Sequence, residues 1–502
     1  MNLRCLFILA LVATYFSAKS QDEPFKELEH ANVYIGPLVD RDYGEGLAQF
    51  VGEFEGGVVT LTIYKESDQF QRYDKNLKSV KTKRIEHSSM GDGKSIVSNH
   101  GFIHSKGRKS IKRMVGVTSK KTKTNALYLV DFDLESLEMS NWVEISKVEG
   151  NYFDDFHNSW VGFKYSLDSS KVLIAHKLPE QERDDFRFRT IVLAGNDLSV
   201  IWSQDVDLHE KDGPIPSFQG KAFGNQYVGN VNPTLLNYKY LTEDMSVDNY
   251  GTVYSWAHFD LGRGIKAEER FKVRAIVIDQ DETILSDEIK GNEPYLPRND
   301  YDIVPRAKGS WLLSGLHFSD DVQNAVVLNN SGEFDLVPID KFPLNINEII
   351  HKTDGKMVLH SGFSTLTYVD ENLRILWQVT IGMKQDFGSF NETGMSGIKV
   401  YVTDNFCFAV FNDHNENMGN LWAERELQAY YPNRGDKLVG ALASIELNNP
   451  EEGQREAMWT ADKLGGYYAP RWVNYNAVFG NNHYYYVQGG RKTERLVKVT
   501  LD

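Results

Sequence analysis

One hairpin-like stretch of the sequence reads Ala126-Leu-Tyr-Leu-Val-Asp-Phe-Asp-Leu-Glu-Ser-Leu-Glu-Met-Ser-Asn-Trp142. Apolar and polar residues alternate in its first part, as they do in a half-buried strand. A polar turn then leads to Leu137, and a second strand carries Trp142. Aspartate, asparagine and glycine favour tight turns, while the leucine and the tryptophan can point into the space between stacked sheets. The stretch therefore predicts an antiparallel hairpin.

The same unit recurs along the chain. Three more clear copies are Tyr73-Asp-Lys-Asn-Leu77, Gly195-Asn-Asp-Leu198 before Trp202, and Asp370-Glu-Asn-Leu373 before Trp377. Weaker copies are Asp279-Gln-Asp-Glu282, Asn329-Asn-Ser-Gly332 and Leu447-Asn-Asn-Pro450 before Trp459. Convincing amphipathic helices are scarce, so the repeats indicate about seven all-β units.

Units that cannot bury both faces alone can close in a ring and leave only short edges, which is the propeller solution. We therefore predict an all-β fold with a single large β-propeller of about seven blades, six to eight being possible. Two packed sandwiches are the alternative. Residues 209–240 lack the repeat signature, contain Gly213-Pro-Ile-Pro-Ser217, and are predicted to form a long loop.

Residues 1–20 resemble a secretory signal peptide, with Arg4, an apolar run from Cys5 to Phe16, and small residues up to a cleavage site after Ser20. This assignment leaves 21–502 as the propeller. The apolar run is too short to span a bilayer of roughly 30 Å, and no later segment is long enough, so we expect no transmembrane segment. Cleavage leaves Cys407 as the only thiol, which excludes an internal disulfide. We expect a secreted, periplasmic or cell-surface protein, with a bacterial envelope favoured because large extracellular animal proteins more often use disulfides.

The formal net charge of −15 argues against nucleic acid as a partner, because a phosphate backbone would be repelled over most of the surface. One quarter of the chain is locally basic. Between residues 106 and 123 lie eight lysines and arginines, including Lys109 and Arg113, and five more lie between Lys75 and Arg84. Two explanations stand: lysines that keep hairpin edges from pairing, or a binding surface for an anionic polysaccharide or lipid headgroup.

A run of oxygen side chains suggests a calcium loop. Asp413, Asn415 and Asn417, with Glu424 at the twelfth position counted from Asp413, match the spacing of ligands in such loops. The glycine comes one place late, at Gly419, and strands rather than helices flank the run. The alternative is a polar turn between strands, with no cofactor.

Two other groups contain residues suited to acid–base chemistry. Asp154, Asp155 and His157 lie beside aromatic residues, and His258 and Asp260 share one side of a predicted strand by period two. A turn before a blade explains the first group without chemistry, and a hydrogen-bonded surface pair is the favoured explanation of the second. The sequence contains no nucleophile elbow, zinc-binding helix motif or phosphate-binding glycine loop, so it gives no positive support for an enzyme.

Aromatic residues are dense near the C-terminus. Tyr467, Trp472 and Tyr475 are the candidate binding residues, because exposed rings can stack on sugars or contact a protein. Further on, Tyr484-Tyr-Tyr486 are expected to alternate between core and solvent. Routine packing of aromatics between blades is the alternative for the whole group.

Several stretches together resemble exported propeller-like proteins of Bacteroidetes-type bacteria. These are Ser166-Leu-Asp-Ser-Ser-Lys-Val-Leu173, Asn196-Asp-Leu-Ser-Val-Ile-Trp202, Val247-Asp-Asn-Tyr-Gly-Thr-Val-Tyr254, Phe411-Asn-Asp-His414 and Gly490-Arg-Lys492. The resemblance begins near residue 150 and implies a location in the cell envelope. It implies no catalytic residues.

Two functional hypotheses follow. The first is a non-catalytic binding or scaffold propeller of the cell envelope that recognises a protein or a glycan. The second is a polysaccharide hydrolase or lyase with carboxylates from different blades meeting at the propeller centre. Spacing along the chain cannot decide between them, because that convergence depends on the tertiary structure.

Overall fold

The structure is a computed structural model. It describes residues 25–37, 39–40, 49–64, 66–90, 96–108, 110–119, 121–149, 161–178, 186–208, 245–260, 271–289, 301–314, 317–319, 322–328, 331, 333–339, 346–352, 354–361, 364–382, 398–422, 427–428, 438–460, 477–479, 482–489 and 493–502. The predicted signal peptide and the predicted loop 209–240 lie outside these residues. Among them, no helix is long and apolar enough to cross a bilayer.

The chain divides into two compact units, and the first comprises residues 1–84 and 382–502. Its strands are β1 (Lys26–Glu27), β2 (Ala31–Ile35), β3 (Val39–Asp40), β4 (Gln49–Phe54), β5 (Gly57–Ile63), β6 (Ser67–Asp74), β7 (Ser79–Glu86, which ends two residues past the boundary), β29 (Ile398–Val402), β30 (Phe406–His414), β31 (Gly419–Asn420), β32 (Leu438–Glu446), β33 (Gln454–Thr460), β34 (Ala477–Phe479), β35 (His483–Gly489) and β36 (Thr493–Leu501). Short 3-10 helices cover Asn415–Asn417 and Pro450–Glu452.

The second unit comprises residues 85–381. Its strands are β8 (Ile96–His104), β9 (Ile111–Ser119), β10 (Thr124–Asp133), β11 (Glu138–Glu149), β12 (Gly162–Tyr165), β13 (Lys171–Lys177), β14 (Phe186–Ala194), β15 (Val200–Leu208), β16 (Met245–Val247), β17 (Val253–Asp260), β18 (Phe271–Ile278), β19 (Thr283–Ile289), β20 (Tyr301–Pro305), β21 (Ser310–Ser314), β22 (His317–Ser319), β23 (Val322–Leu328), β24 (Phe334–Ile339), β25 (Ile346–His351), β26 (Met357–Ser361), β27 (Thr365–Val369) and β28 (Ile375–Thr380). Short 3-10 helices cover His87–Met90 and Lys106–Arg108.

The described strands form eight antiparallel sheets. Seven of them are continuous in the chain, and we number them sheets 1 to 7: β4–β7, β8–β11, β12–β15, β16–β19, β20–β24, β25–β28 and β29–β33. The eighth, the terminal sheet, joins β1–β3 from the start of the chain to β34–β36 from its end, with β2 paired to β36. Successive sheets of about four meandering strands define a β-propeller, which confirms the predicted fold class. The count lies within the predicted range of six to eight.

The apolar cores lie between neighbouring sheets. In the second unit, one cluster joins residues of sheets 2 and 3, and another joins residues of sheets 3 and 4. In the first unit, one cluster joins sheet 7 to the terminal sheet, and a smaller one joins the terminal sheet to sheet 1. An interior strand in such a stack is covered on both faces, so its side chains are buried whichever way they point.

The repeated leucine of the sequence has one structural role. Leu77, Leu137, Leu198 and Leu373 each close the turn between the third and fourth strands of their sheet, with φ of 60°, 58°, 59° and 64° respectively. All four side chains are buried. A leucine in the left-handed region is disfavoured by about 1–2 kcal/mol. The turn needs this backbone conformation, and burial of the leucine side chain between sheets offsets its cost.

The repeated tryptophan marks a β-bulge in the fourth strand. Just before the tryptophan, one residue is skipped in the pairing with the third strand. The skipped residues are Asn141, Ile201, Leu376 and Met458, which precede Trp142, Trp202, Trp377 and Trp459. A bulge increases the local twist and makes an outer strand less suitable for pairing with another edge. The hairpins of the sequence analysis are therefore confirmed, and each of these four ends in a bulged fourth strand.

Candidate functional site

Asp413, the first residue of the predicted calcium loop, lies at the end of β30 and is buried. Its Oδ2 accepts a hydrogen bond of 2.8 Å from Nη1 of Arg455, which is also buried. Its Oδ1 accepts bonds from the Asn417 side chain at 2.6 Å and from the His414 backbone at 2.8 Å. Burial raises the pKa of Asp413, and the charge of Arg455 offsets this only in part. The carboxylate is thus committed to an ion pair inside the protein.

The remaining members of the predicted loop are placed differently from one another. Asn417 is buried and its Oδ1 accepts the backbone N–H of Gln428 at 2.8 Å, whereas Asn415 is exposed. Glu424 lies outside the described residues. Within the part of the chain that the structure covers, no group of three or more histidine, cysteine, aspartate or glutamate side chains could hold a metal ion. Calcium binding here stays a prediction from the sequence.

Arg113 was predicted to belong to a basic binding surface, but its side chain is 0% exposed. Its Nε donates to Asn99 Oδ1 at 3.2 Å, and its guanidinium lies over the Phe102 ring, 6.0 Å from the centroid. Nη1 also contacts the sulfur atoms of Met90 and Met139. The sequence could not show that Arg113 is buried, because β9 is covered on both faces only when sheet 2 packs in the stack of sheets. Arg113 therefore supports the interior of sheet 2 rather than an anion site.

The other candidate binding residues, Lys109, Tyr467, Trp472 and Tyr475, lie outside the described residues, as do Asp154, Asp155 and His157. His258 and Asp260 lie two positions apart on β17, opposite Val273 and Phe271 of β18. The expectation that Tyr484-Tyr-Tyr486 alternate between core and solvent is wrong, because all three are buried. Tyr484 and Tyr486 pack towards sheet 7 and Tyr485 packs towards sheet 1.

The first unit contains a polar cluster that sequence reasoning missed. Glu53 of β4 is bonded to His483 Nε2 at 2.5 Å and to the Tyr485 hydroxyl at 2.7 Å, and Lys498 Nζ lies 3.5 Å away. Burial raises the pKa of Glu53, but the hydrogen bonds from His483 and Tyr485 outweigh it, so the pKa is below its ordinary value. The carboxylate is ionised and ties β4 to the terminal sheet.

The second unit contains a polar network between sheets 2 and 3 whose serine and histidine are buried and whose ion pair is partly exposed. Ser146 Oγ of β11 lies 2.9 Å from His176 Nε2 and accepts a 2.9 Å hydrogen bond from Arg189 Nη1. Arg189 also makes a two-point ion pair with Asp205 on β15. A serine beside an imidazole is the material of a nucleophile and its base. Ser146 and His176 are both buried, however, so the geometry is that of a structural network.

Lys164, on the first strand of sheet 3, lies close enough to His351, on the first strand of sheet 6, to affect its charge. Lys164 of β12 donates to the backbone carbonyl of Met245 on β16 at 3.0 Å. Burial, together with the charge of Lys164, lowers the pKa of His351 on β25 to about 4. His351 is therefore neutral near pH 7. A glycosidase requires two carboxylates, and Lys164 and His351 supply none.

Most of the exposed large hydrophobic residues in the described part of the chain lie on the outer strands. Eight large hydrophobic residues are exposed among those described, and six of them lie on fourth strands. The six are Val80 on β7, Trp142 and Val143 on β11, Val200 and Ile201 on β15, and Leu376 on β28. Ile201 and Leu376 are the skipped residues of two bulges. For the exposed residues of β11, β15 and β28, the only sequence signal was a break in the apolar–polar alternation next to the tryptophan.

No protein-family model and no curated protein sequence matches this chain. Solved structures are similar at low identity. Dipeptidyl peptidase 4 of Porphyromonas gingivalis is 13% identical with a TM-score of 0.41, over 89% of this chain and 56% of that one. Acylaminoacyl peptidase of Pyrococcus horikoshii is 10% identical with a TM-score of 0.38, over 88% and 57%. The β-propeller domain of the Trilobed protease of Pyrococcus furiosus is 11% identical with a TM-score of 0.37, over 87% and 98%.

This chain spans a little over half the length of the two peptidases. The strand order of its own sheets defines the class, a β-propeller whose terminal sheet joins the first described strands of the chain to the last. No closer identity follows from the comparisons.

Proposed function

We propose that this protein is a non-catalytic, exported binding propeller of the cell envelope that recognises another protein. The observation that carries the proposal is the concentration of exposed large apolar side chains on the outer strands, six of the eight among the described residues. A contiguous exposed apolar patch is typical of an interaction surface, and four of the six residues form two adjacent pairs, Trp142–Val143 and Val200–Ile201, on the neighbouring sheets 2 and 3. The resemblance of the sequence to exported Bacteroidetes-type proteins supports the location.

The chemistry of these side chains favours a protein over a glycan. Sugars are bound by aromatic faces, and only Trp142 of the six is aromatic. Val143, Val200 and Ile201 instead offer branched aliphatic surface on sheets 2 and 3, which suits the apolar centre of a protein interface. Burying one such side chain fully is worth about 1.5–3 kcal/mol.

The described polar clusters support a scaffold role. Asp413 is paired with Arg455, and Glu53 with His483 and Tyr485, so both carboxylates serve contacts within the first unit. Such pairs hold elements of the fold together. Enzymatic action on polysaccharide has no specific observation in its favour.

The proposal is tested by immobilising the mature chain and passing over it an envelope extract of a Bacteroidetes-type bacterium, followed by purification and rebinding of the retained protein. Two variants remove the apolar surface, Trp142→Ser with Val143→Ser and Val200→Ser with Ile201→Ser. The matched control is Tyr250→Ser, because Tyr250 is 73% exposed but lies in a turn before β17.

We expect the purified partner to bind the wild type and the control equally, and at least one outer-strand variant about tenfold more weakly, since 1.4 kcal/mol corresponds to a factor of ten. Equal binding by all variants would contradict the proposal. So would selective retention of a polysaccharide, or cleavage of one by the mature chain.

A further inference from the structure

Two aromatic rings and a carboxylate form a cluster on sheet 2, which we call the Trp142 cluster. Its members are Tyr128 on β10 and Trp142 and Glu144 on β11. Tyr128 lies directly opposite Glu144 in the antiparallel pairing, and Val130, two positions further on, lies opposite Trp142. Because side chains alternate between the two faces of a strand, all three members lie on the same face of the sheet.

Tyr128 contacts both other members of the cluster. Its ring meets the indole of Trp142 edge to face, with centroids 5.8 Å apart and 68° between the ring planes. Its hydroxyl donates to Glu144 Oε2 at 3.2 Å. Burial, together with this hydrogen bond, raises the pKa of Tyr128, so the hydroxyl stays protonated and remains a donor. The tyrosine therefore holds the indole and the carboxylate in place, while Trp142 is 38% exposed and Glu144 is exposed.

The charge of Glu144 is not balanced within the part of the chain that the structure describes. No lysine or arginine forms an ion pair with it there, and on the neighbouring strand β9 Lys112 pairs with Asp131 at 3.0 Å. Stabilisation of the hairpin explains why the rings and the acceptor lie together. It does not explain the charge, because a neutral glutamine would accept the same hydrogen bond. An exposed carboxylate beside an exposed indole points to a positively charged ligand.

We propose that the Trp142 cluster is a binding site for an arginine side chain of a partner protein. The flat guanidinium lies over the indole as a cation over a ring. Its edge donates to Glu144 Oε1, which accepts no hydrogen bond from the described residues. Trp142 and Glu144 lie about 7 Å apart along the strand, a separation that one guanidinium between two long side chains can bridge.

The choice of arginine follows from its chemistry. A guanidinium is planar and can stack and form a two-point ion pair at once, whereas the ammonium group of lysine is a compact point charge. Tryptophan, tyrosine and arginine are also enriched among the residues that contribute most to protein interfaces. The net charge of −15 favours a basic partner. This inference rests on the proposed function for the class of partner, a protein.

The experiment follows Trp142 by fluorine NMR in the full mature chain labelled with 5-fluorotryptophan. The chain contains nine tryptophans, and the variant Trp142→Phe identifies the resonance. The probes are the amides of acetyl-arginine, acetyl-lysine and the uncharged arginine isostere acetyl-citrulline, each titrated at low ionic strength. The test variant is Glu144→Gln, which removes the charge and keeps an acceptor for Tyr128. The matched control is Glu149→Gln, which removes an exposed carboxylate further along β11.

We expect the arginine amide to shift the Trp142 resonance with saturation, and to bind about fivefold more tightly than either other probe. Glu144→Gln should weaken its binding about fivefold, as expected for loss of an exposed ion pair. Glu149→Gln should bind like the wild type, and circular dichroism should show that all the proteins are folded alike. The absence of a saturable shift would overturn the proposal. So would equal binding of arginine and either other probe, or equal binding by Glu144→Gln and the wild type.

This site and the proposed function would fail by different results. If Glu144→Gln binds the purified partner like the wild type while the variant at Val200 and Ile201 loses it, the arginine site alone is refuted. If the arginine amide binds as expected while neither outer-strand variant weakens partner binding, the proposed apolar interface alone is refuted.

Discussion

Leucine in a left-handed turn is an unusual choice, and its energetics can be tested at Leu198. This residue closes the turn between β14 and β15 with φ of 59°, and its side chain packs in the core between sheets 2 and 3. Leu193 of the same core lies within β14 and has no positive φ, so it is the matched control. Each leucine is replaced by alanine and, separately, by glycine.

Alanine should destabilise either position by about 2–5 kcal/mol, because the large side chain leaves a cavity. At Leu193, glycine should cost about 1–2 kcal/mol more than alanine, through the lost methyl group and the greater freedom of the unfolded chain. At Leu198 the left-handed conformation penalises alanine by about 1–2 kcal/mol and glycine not at all. We therefore expect glycine and alanine to be nearly equal at Leu198.

The assay is urea and thermal unfolding of the mature chain, followed by tryptophan fluorescence for all four variants. The decisive quantity is the extra destabilisation of glycine over alanine, compared between the two positions. If this increment is the same at Leu198 as at Leu193, the backbone of the turn carries no conformational cost and our account of the repeated leucine is wrong.

Three further outcomes are expected. Asp413→Asn should lower the free energy of unfolding by about 3–5 kcal/mol, because it leaves Arg455 buried without its counter-charge. The double variant Asp413→Leu with Arg455→Met should recover much of that loss. A melting temperature of the wild type that rises with added calcium would instead support the predicted calcium loop. Folding lowers the pKa of His351 from 6.5 to about 4. The stability that the neutral imidazole contributes is therefore present above pH 6.5 and falls by about 3 kcal/mol as the pH drops towards 4. The free energy of unfolding, measured against pH, should fall less for His351→Gln than for the wild type, and an equal fall would contradict the assignment. The pKa of Glu53 is below its ordinary value of 4.5. Its contribution to the free energy of unfolding is therefore present above pH 4.5 and is lost as the pH falls through the lower folded value. Glu53→Gln should be less stable than the wild type at pH 7, with a difference that shrinks in acid. A constant difference would show that the ionised form is not what binds His483 and Tyr485.

The seven hairpin turns were readable from the sequence because turn chemistry is local. All seven predicted units fall between the third and fourth strands of sheets 1 to 7, including the weaker copies at 279–282, 329–332 and 447–450. The terminal sheet has no such turn, because its third strand, β36, and its fourth, β2, are far apart in the sequence and no hairpin connects them. A count of turns therefore misses this sheet, which explains why about seven units were legible and eight sheets are present.

The candidate site was far less predictable. The predicted calcium loop was inferred from residues within twelve positions of Asp413. The residue that pairs with the Asp413 carboxylate, Arg455, is 42 positions away. Glu53 and His483 are 430 positions apart. Arg113 appeared as part of a basic run, and only the stacking of β9 inside sheet 2 shows that it is buried. Pairings at such separations leave no periodic trace in one sequence.

The sequence by itself determined the all-β class, the hairpin unit and its leucine and tryptophan positions, because alternation and turn residues act over a few neighbouring positions. The tertiary structure alone decided the sheet formed by the two chain ends, the bulges before each tryptophan, the burial of Arg113 and of Tyr484 to Tyr486, and the ion pair of Asp413. These features depend on which surfaces meet when sheets stack, and stacking brings together residues that the chain keeps tens to hundreds of positions apart.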